Sequence, residues 1–364
     1  MKILNFLKND IILTLAALLA IASSFIVPPD MEYIEYINLP VLVLLFCLMI
    51  VVAGFKKAGA FDTLNALLSS KINSEKAMIF SLCMICFFTS AFITNDVALI
   101  TFVPFSIAML KKQSNSAVIF CVVMETIAAN LGSLLTPIGN PQNLFLYTYY
   151  GVSIWDFFKI TLPLGCVCLA MILLCLLIPK NRPLKNEEST PDLKINKKYL
   201  LIFGGLFVLC ILSVLKIVSC YITLVVVLVC VIFSDRKLLK EADYILLITF
   251  VFFFVFAGNI ARIPAVYDFI KSILSGREVL VSALISQGIS NVPAAAMLAS
   301  FTDDARSLIL GTNIGGLGTV IASMASLISY RFIAQEKKIK KSTYMLTFTA
   351  YNFSMLLVLL LIFR

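Results

Sequence analysis

Thr94-Asn95-Asp96-Val97, followed by Asn130-Leu131-Gly132 and Thr136, decides how this chain is read, because its second half repeats the phrase. There it becomes Ser290-Asn291-Val292-Pro293, followed by Asn313-Ile314-Gly315 and Thr319. With a shift of 183 positions, Asn130, Gly132, Thr136 and Asn143 fall on Asn313, Gly315, Thr319 and Ser326. Polar, helix-breaking residues at matching places in two halves of an apolar chain point to a transport site at a repeat interface inside a membrane.

Composition supplies the membrane. Hydrophobic residues make up 61% of the 364 residues, charged residues only 13%, and mean hydropathy is +1.01. So little polar surface cannot cover a packed core in water, which makes the chain an integral membrane protein. Long unbroken apolar runs, Ile11 to Val27 and Val41 to Ala53 among them, favour helical spans, because barrel strands alternate over about ten residues. The expected fold class is an all-α polytopic membrane protein. The formal charge of +9 comes from Lys and Arg in short loops between apolar segments. That is the positive-inside pattern, and it asks for no nucleic acid or other polyanion. The ten cysteines lie almost entirely within apolar segments and read as small buried hydrophobes. Cys83-x-x-Cys86 has redox spacing, but it lacks a second pair and the chain has no histidine, so no cofactor is expected. Without histidine, any proton coupling must use carboxylates.

The charge rule then orders the chain. Residues 1–37 hold a first span and an outer loop. Lys2 and Lys8 precede the span and Asp30, Glu32 and Glu35 follow it, which puts the N-terminus in the cytoplasm. The span runs into Val27-Pro28-Pro29 without a small-residue cleavage site, so it is kept as a span and not as a signal peptide. Residues 38–178 form a first repeat, with an interfacial helix at 58–72, a hairpin at 77–110 and a broken helix at 117–150. The hairpin is basic at both ends, with Lys76 before it and Lys111 and Lys112 after it, so it enters and leaves on one face. A cytoplasmic linker at 179–198 and a scaffold helix pair at 199–242 follow. Residues 243–364 form a second repeat, with its interfacial helix at 262–276, hairpin at 279–302 and broken helix at 305–332. The first copy enters from outside and the second from inside, so inverted repeats are expected.

The chemistry follows from the breaks. Re-entrant tips present helix ends whose free amides and carbonyls carry partial charge at the bilayer midplane, where bare backbone survives only inside protein or beside a cavity. Helix N-termini favour an anion, whereas unwound carbonyls and side-chain oxygens suit a hard cation such as sodium. The candidate substrate and ion-binding residues are therefore Thr94, Asn95, Asp96, Asn130, Gly132, Thr136, Gly139, Asn140 and Asn143 in the first half. Ser290, Asn291, Asn313, Gly315 and Thr319 are their counterparts in the second. Asn95, Asp96, Gly132, Asn291 and Gly315 are the candidate sodium ligands. The bland alternative is that the tip residues simply cap the second arms, which is compatible with ligation. Asp96 and Glu125 are the acids placed well inside the membrane, where such residues are functional by default. Arg262, Lys271 and Arg277 flank the outer amphipathic stretch and read as a solvated face.

At these residues the chain resembles the ion transporter superfamily, which includes divalent-anion/sodium symporters, citrate transporters, arsenite permeases and NhaD-type sodium/proton antiporters. The resemblance runs from about residue 38 onward. Thr94-Asn95-Asp96-Val97 with Pro104, and Thr136-Pro137-Ile138-Gly139-Asn140-Pro141-Gln142-Asn143, are most similar to the arsenite permease and citrate transporter-like branch. The resemblance implies a homodimer whose scaffold holds a transport domain that moves like an elevator. In the dicarboxylate branch each tip carries Ser-Asn-Thr; here both threonines are missing and Asp96 stands in one place. A dianion beside Asp96 is repelled unless sodium or a proton intervenes.

The reading is a multi-pass secondary transporter of the cytoplasmic (inner) membrane that moves a small anion or oxyanion with sodium or protons. Arsenite/antimonite efflux and sodium/proton antiport through Asp96 are the alternatives. A membrane-embedded enzyme is the remaining alternative, but the sequence has no histidine cluster, nucleophile motif or metal spacing.

Overall fold

The computed structural model describes residues 11–111, 113–184 and 195–363. Lys2, Lys8 and Lys112, used above to orient the chain, lie outside the described residues, as do residues 185–194 of the expected linker. The described residues form helices joined by turns and short unwound segments, and among them the only β pairing is a single bridge between Ser74 and Pro183.

Two helices lead, α1 (Ile11–Ser24) and the short α2 (Glu32–Tyr36). The first half continues with α3 (Leu39–Lys57), α4 (Ala60–Lys71), α5 (Glu75–Ile93), α6 (Asn95–Leu110), α7 (Asn115–Ser133), α8 (Pro141–Tyr149) and α9 (Ile154–Cys175). A pair, α10 (Lys197–Val214) and α11 (Cys220–Ser234), separates it from the second half. That half holds α12 (Tyr244–Ala261), α13 (Pro264–Leu274), α14 (Glu278–Ile289), α15 (Asn291–Leu298), α16 (Ala305–Ile314), α17 (Met324–Gln335) and α18 (Lys341–Phe363). Both halves use one order: a long helix, a short one, a pair parted at a single residue, a pair parted by a turn, and a final long helix. Among the described residues, α3, α5, α7, α9, α10, α12 and α18 are long and apolar enough to cross a membrane.

Short polar residues set the helix starts. Asn38, Ser74, Ser114, Asn140, Ser153, Asn196, Asp243 and Asp304 each turn a side-chain oxygen onto an amide of the first turn. Pro40, Pro141 and Pro264 stand in first turns, where a missing N–H costs nothing. Lys56 and Lys57 close α3 against the negative end of its dipole.

Helix α7 is buried along nearly its whole length and lies at the centre of one core, enclosed by α5, α6, α9, α17 and α18. A second core gathers α3, α8, α10, α12, α15 and α16. The halves are interleaved: α17 of the second packs on α7 of the first, and α8 of the first packs on α15 and α16 of the second. Two glycines permit the closest approaches. A Cβ on Gly132 would overlap the backbone of Phe87 on α5, and one on Gly315 would overlap Ala283 on α14. Phe87 and Ala283 each lie seven residues before their tips, Thr94 and Ser290, so the same joint is built twice.

Arg262 is exposed, as a solvated face implies, and it is also paired. Its Nη1 donates to Asp30 Oδ2 at 2.7 Å and to the Tyr36 hydroxyl at 3.1 Å, and its Nε lies 3.3 Å from Glu32 Oε2. Asn259 Nδ2 donates to the Tyr33 hydroxyl at 2.7 Å and to Ser23 Oγ at 3.0 Å. The loop after α1 and helix α2 are thereby clasped to the end of α12, which the three acids alone did not reveal. Lys271 of the same stretch lies over the Tyr267 ring at 5.4 Å.

The Arg262 guanidinium holds the Asp30 carboxyl below its ordinary 3.8. A carboxyl whose folded pKa is depressed adds stability above its unfolded value and loses it as pH falls through the folded one. Asp30→Asn is therefore expected to lower the melting temperature at pH above about 5, with the difference from wild type vanishing on acidification below 3.8, as thermal unfolding in detergent would show.

Candidate functional site

Each half breaks its helix pair at one residue, and both breaks use the same unusual backbone. Thr94, between α5 and α6, has φ 71° and ψ 151°; Ser290, between α14 and α15, has φ 79° and ψ 153°. This region is almost reserved for glycine and costs a side-chain-bearing residue about 1–3 kcal/mol, so surrounding contacts must hold it. Those contacts also repeat. Thr136 Oγ1 donates to the Ala91 carbonyl, and Thr319 Oγ1 donates to the Gln287 carbonyl at 2.9 Å. Ala91 and Gln287 each lie three residues before their tips. Each break therefore anchors the arm that leads into its own tip.

Asparagines then join the halves. Asn130 Oδ1 accepts from Asn95 Nδ2 at 3.1 Å and from Ser323 Oγ at 2.9 Å, while its Nδ2 faces Ser326 Oγ and the Gly316 carbonyl at 3.4 Å. Asn313 Oδ1 accepts from Asn140 Nδ2 at 3.1 Å, and its Nδ2 donates to Asn143 Oδ1 at 2.6 Å and to the Ile309 carbonyl at 2.8 Å. Under the shift of 183, Ser323 and Ser326 are the counterparts of Asn140 and Asn143. Asn130 therefore reaches into the second half at the positions that answer those where Asn313 reaches into the first. Such reciprocity is the contact pattern of a two-fold relation. All seven of these side chains are buried, so each amide that found no partner would carry a full desolvation cost.

The remaining sequence candidates occupy the rim of this junction. The Asn95 amide donates to the Gly139 carbonyl at 3.2 Å, which ties the first tip to its break. Ser290 Oγ lies 3.4 Å from the Ala322 carbonyl, and a Cβ on Gly316 would press on the Asn291 amide. Asn95 Oδ1 takes the Asp96 amide at 3.0 Å. Among the described residues, Thr94, Asp96, Ser290 and Asn291 make none of the side-chain hydrogen bonds that join the two halves. Asp96 is distinct in chemistry: its Oδ1 is buried and has no hydrogen-bond partner, whereas Val292 stands at its place in the second half.

Among the described residues no group of three or more Cys, Asp or Glu side chains is arranged to hold a metal ion. A hard monovalent cation would have to take mixed oxygen ligands. The orphaned Asp96 Oδ1 is an oxygen of that kind. Glu125 is separate: its Oε1 accepts from Ser106 Oγ at 2.5 Å and faces Cys86 Sγ at 3.9 Å, so its partners belong to the hairpin arms and not to the tips. Cys47, Cys83, Cys86, Cys121, Cys168 and Cys210 are buried, whereas Cys175, Cys220 and Cys230 are partly buried and Cys166 is exposed, so the reading of the cysteines as buried hydrophobes holds for six of the ten.

Sequence reasoning missed Ser133, Ser323 and Gln287. Ser133 Oγ accepts from Asn140 Nδ2 at 3.0 Å. Gln287 Nε2 donates to the carbonyls of Ala283, Gly315 and Leu317. The available signal was a glutamine in an otherwise apolar arm, three residues before the tip.

The sequence model of the citrate transporter family matches residues 3–307. Inner membrane protein YbiR of Escherichia coli is 29% identical over 343 residues, covering 92% of this chain and 91% of that protein. An uncharacterized transporter of Methanocaldococcus jannaschii is 30% identical over 309 residues, 83% of each chain. A silicon efflux transporter of Oryza sativa is 31% identical over 156 residues, 43% of this chain and 32% of that one. The chain belongs to the citrate transporter family, and it is a membrane transporter and not an enzyme.

Two outcomes are expected from this geometry. Asn313→Ala strands Asn143 Oδ1 and leaves Asn140 Nδ2 with Ser133 alone, and it is expected to destabilise the protein by about 1–3 kcal/mol, read as a fall in melting temperature. Thr94→Gly removes no cap bond and relieves the backbone strain, so melting temperature is expected to hold or rise.

Proposed function

We propose that this member of the citrate transporter family is a secondary active transporter of a small anion, an organic carboxylate or an inorganic oxyanion, driven by sodium or protons. The observation that carries the reading is the pair of matched, strained tips joined through one reciprocal asparagine junction. Helices α6 and α15 begin at Asn95 and Asn291, and helix N-termini attract anions without a fixed positive charge. Neutral amides beside them supply further donors. Asp96 at the first tip repels an anion unless a cation or proton neutralises it, which is the chemical reason for coupling.

The two-fold contact pattern supports two repeats related by an axis in the membrane plane, and the basic residues at both hairpin ends support their inverted entry. Alternating access then follows from movement of the tip-and-break unit against the helices that frame it, as an elevator in a homodimer of the inner membrane. A second reading, sodium/proton antiport through Asp96 or efflux of a neutral metalloid hydroxide such as arsenite, is favoured by the orphaned Asp96 oxygen.

Purified protein in liposomes, tested with an anion panel under separate sodium and pH gradients, distinguishes them. Uptake of one carboxylate or oxyanion driven by either gradient, and lost in Asn95→Ala and Asn291→Ala, is expected. Cation exchange without any anion points to antiport, and unchanged uptake in both variants contradicts the proposed site.

A further inference from the structure

The two halves treat the same backbone position differently. In the second half, Gln287 Nε2 lies 3.0 Å from the Ala283 carbonyl, 3.1 Å from Gly315 and 3.0 Å from Leu317. Three carbonyl oxygens around one nitrogen that bears two hydrogens form a cage suited to a cation. The other end of the amide is fixed as well, because Gln287 Oε1 accepts from the Thr319 amide at 2.9 Å. The side chain therefore has one allowed orientation. Gly318, at φ +102°, makes room for it: a Cβ there would overlap Gln287 Oε1.

In the first half the counterparts of these residues are Ala91 for Gln287, Phe87, Gly132 and Leu134 for the three carbonyls, and Leu135 for Gly318. The methyl group of Ala91 offers no donor. The Phe87 carbonyl accepts from Ser90 Oγ at 3.0 Å, Gly132 from the Leu135 amide at 3.2 Å, and Leu134 from Asn143 Nδ2 at 3.4 Å. No side chain draws the three together. This is also the half whose tip carries Asp96 and its unpartnered oxygen, while the half that holds Gln287 carries Val292. An acid with no amide donor stands on one side, and an amide donor with no acid on the other.

We infer that the Gln287 amide is a built-in substitute for a cation, closing the second half-site and leaving the first, with Asp96 and Ala91, as the single cation-binding half. The inference rests on reading the tips and breaks as an ion-coupled transport site. It makes Gln287 a residue that sets coupling stoichiometry at one cation per cycle, without itself touching the substrate.

The test is thermal unfolding of the purified full-length protein in sodium chloride against choline chloride at equal ionic strength, with sodium ion as the probe. Gln287→Ala empties the carbonyl cage, and Gln287→Glu keeps the size of the side chain while replacing the donor by an oxygen that needs a cation beside it. Both are expected to gain a sodium-dependent rise in melting temperature of about 3 °C beyond that of wild type, as a newly bound ligand produces. In an Asp96→Asn background, which removes the first-half carboxylate, Gln287→Glu is expected to keep that gain. If Asp96→Asn leaves the wild-type sodium response unchanged, the first half is not the cation-binding half and that part of the inference is overturned, while the Gln287 variants separately decide whether the amide closes the second half. Folded Gln287→Ala and Gln287→Glu proteins that respond to sodium no more than wild type overturn it. Misfolding of Gln287→Glu in both salts also counts against it, since a bound cation should compensate the new charge.

Discussion

A helix broken inside an apolar bundle leaves amides and carbonyls that lipid cannot satisfy, and each one left bare costs several kcal/mol. Among the described residues the helices of the bundle are broken at Thr94, at Ser290 and at the turns after Ser133 and Ile314. Asparagine resolves the problem because its side chain is donor and acceptor at once and carries no charge. Asn95, Asn130, Asn140, Asn143 and Asn313 satisfy one another and the broken backbone. The polar network needed to close the breaks therefore also fastens the two halves at one buried point.

That closure is what allows strain to persist. Thr94 and Ser290 are held in a glycine-like conformation by bonds from Thr136 and Thr319 to the arms leading into them. The reciprocal scaffold is nearly symmetric, but its chemistry is not. Asp96 faces Val292 across the relation, and Ala91 faces Gln287. On the proposed reading, an anion brought to such a place meets two helix N-termini and one carboxyl, which would tie its entry to the charge that neutralises the acid.

The helical class was legible because long apolar runs admit little else, and the interruptions at Thr94 and Ser290 were legible because polar residues stand out in such runs. Asn130 and Asn313 could be paired by register alone. Their actual partners could not, since Ser323 and Ser326 replace asparagines in one half and a hydrogen bond between residues 193 apart leaves no local trace. Gln287 escaped notice for the same reason: its meaning depends on three carbonyls, two of them from another helix break. Arg262 is solvated as its sequence suggested, but its pairing was hidden because its acidic partners come from the far end of the chain. In each case residue type and periodicity reported burial and breakage, while the pairing of polar groups was decided by packing.

The central claim is that both tips act on one anion at their shared junction. A cryo-electron microscopy structure of the protein bound to the anion it transports tests this most directly. The account predicts a single anion density between the first turns of α6 and α15, within hydrogen-bond reach of Asn95 and Asn291. Density held by only one tip, or located away from both, would contradict it.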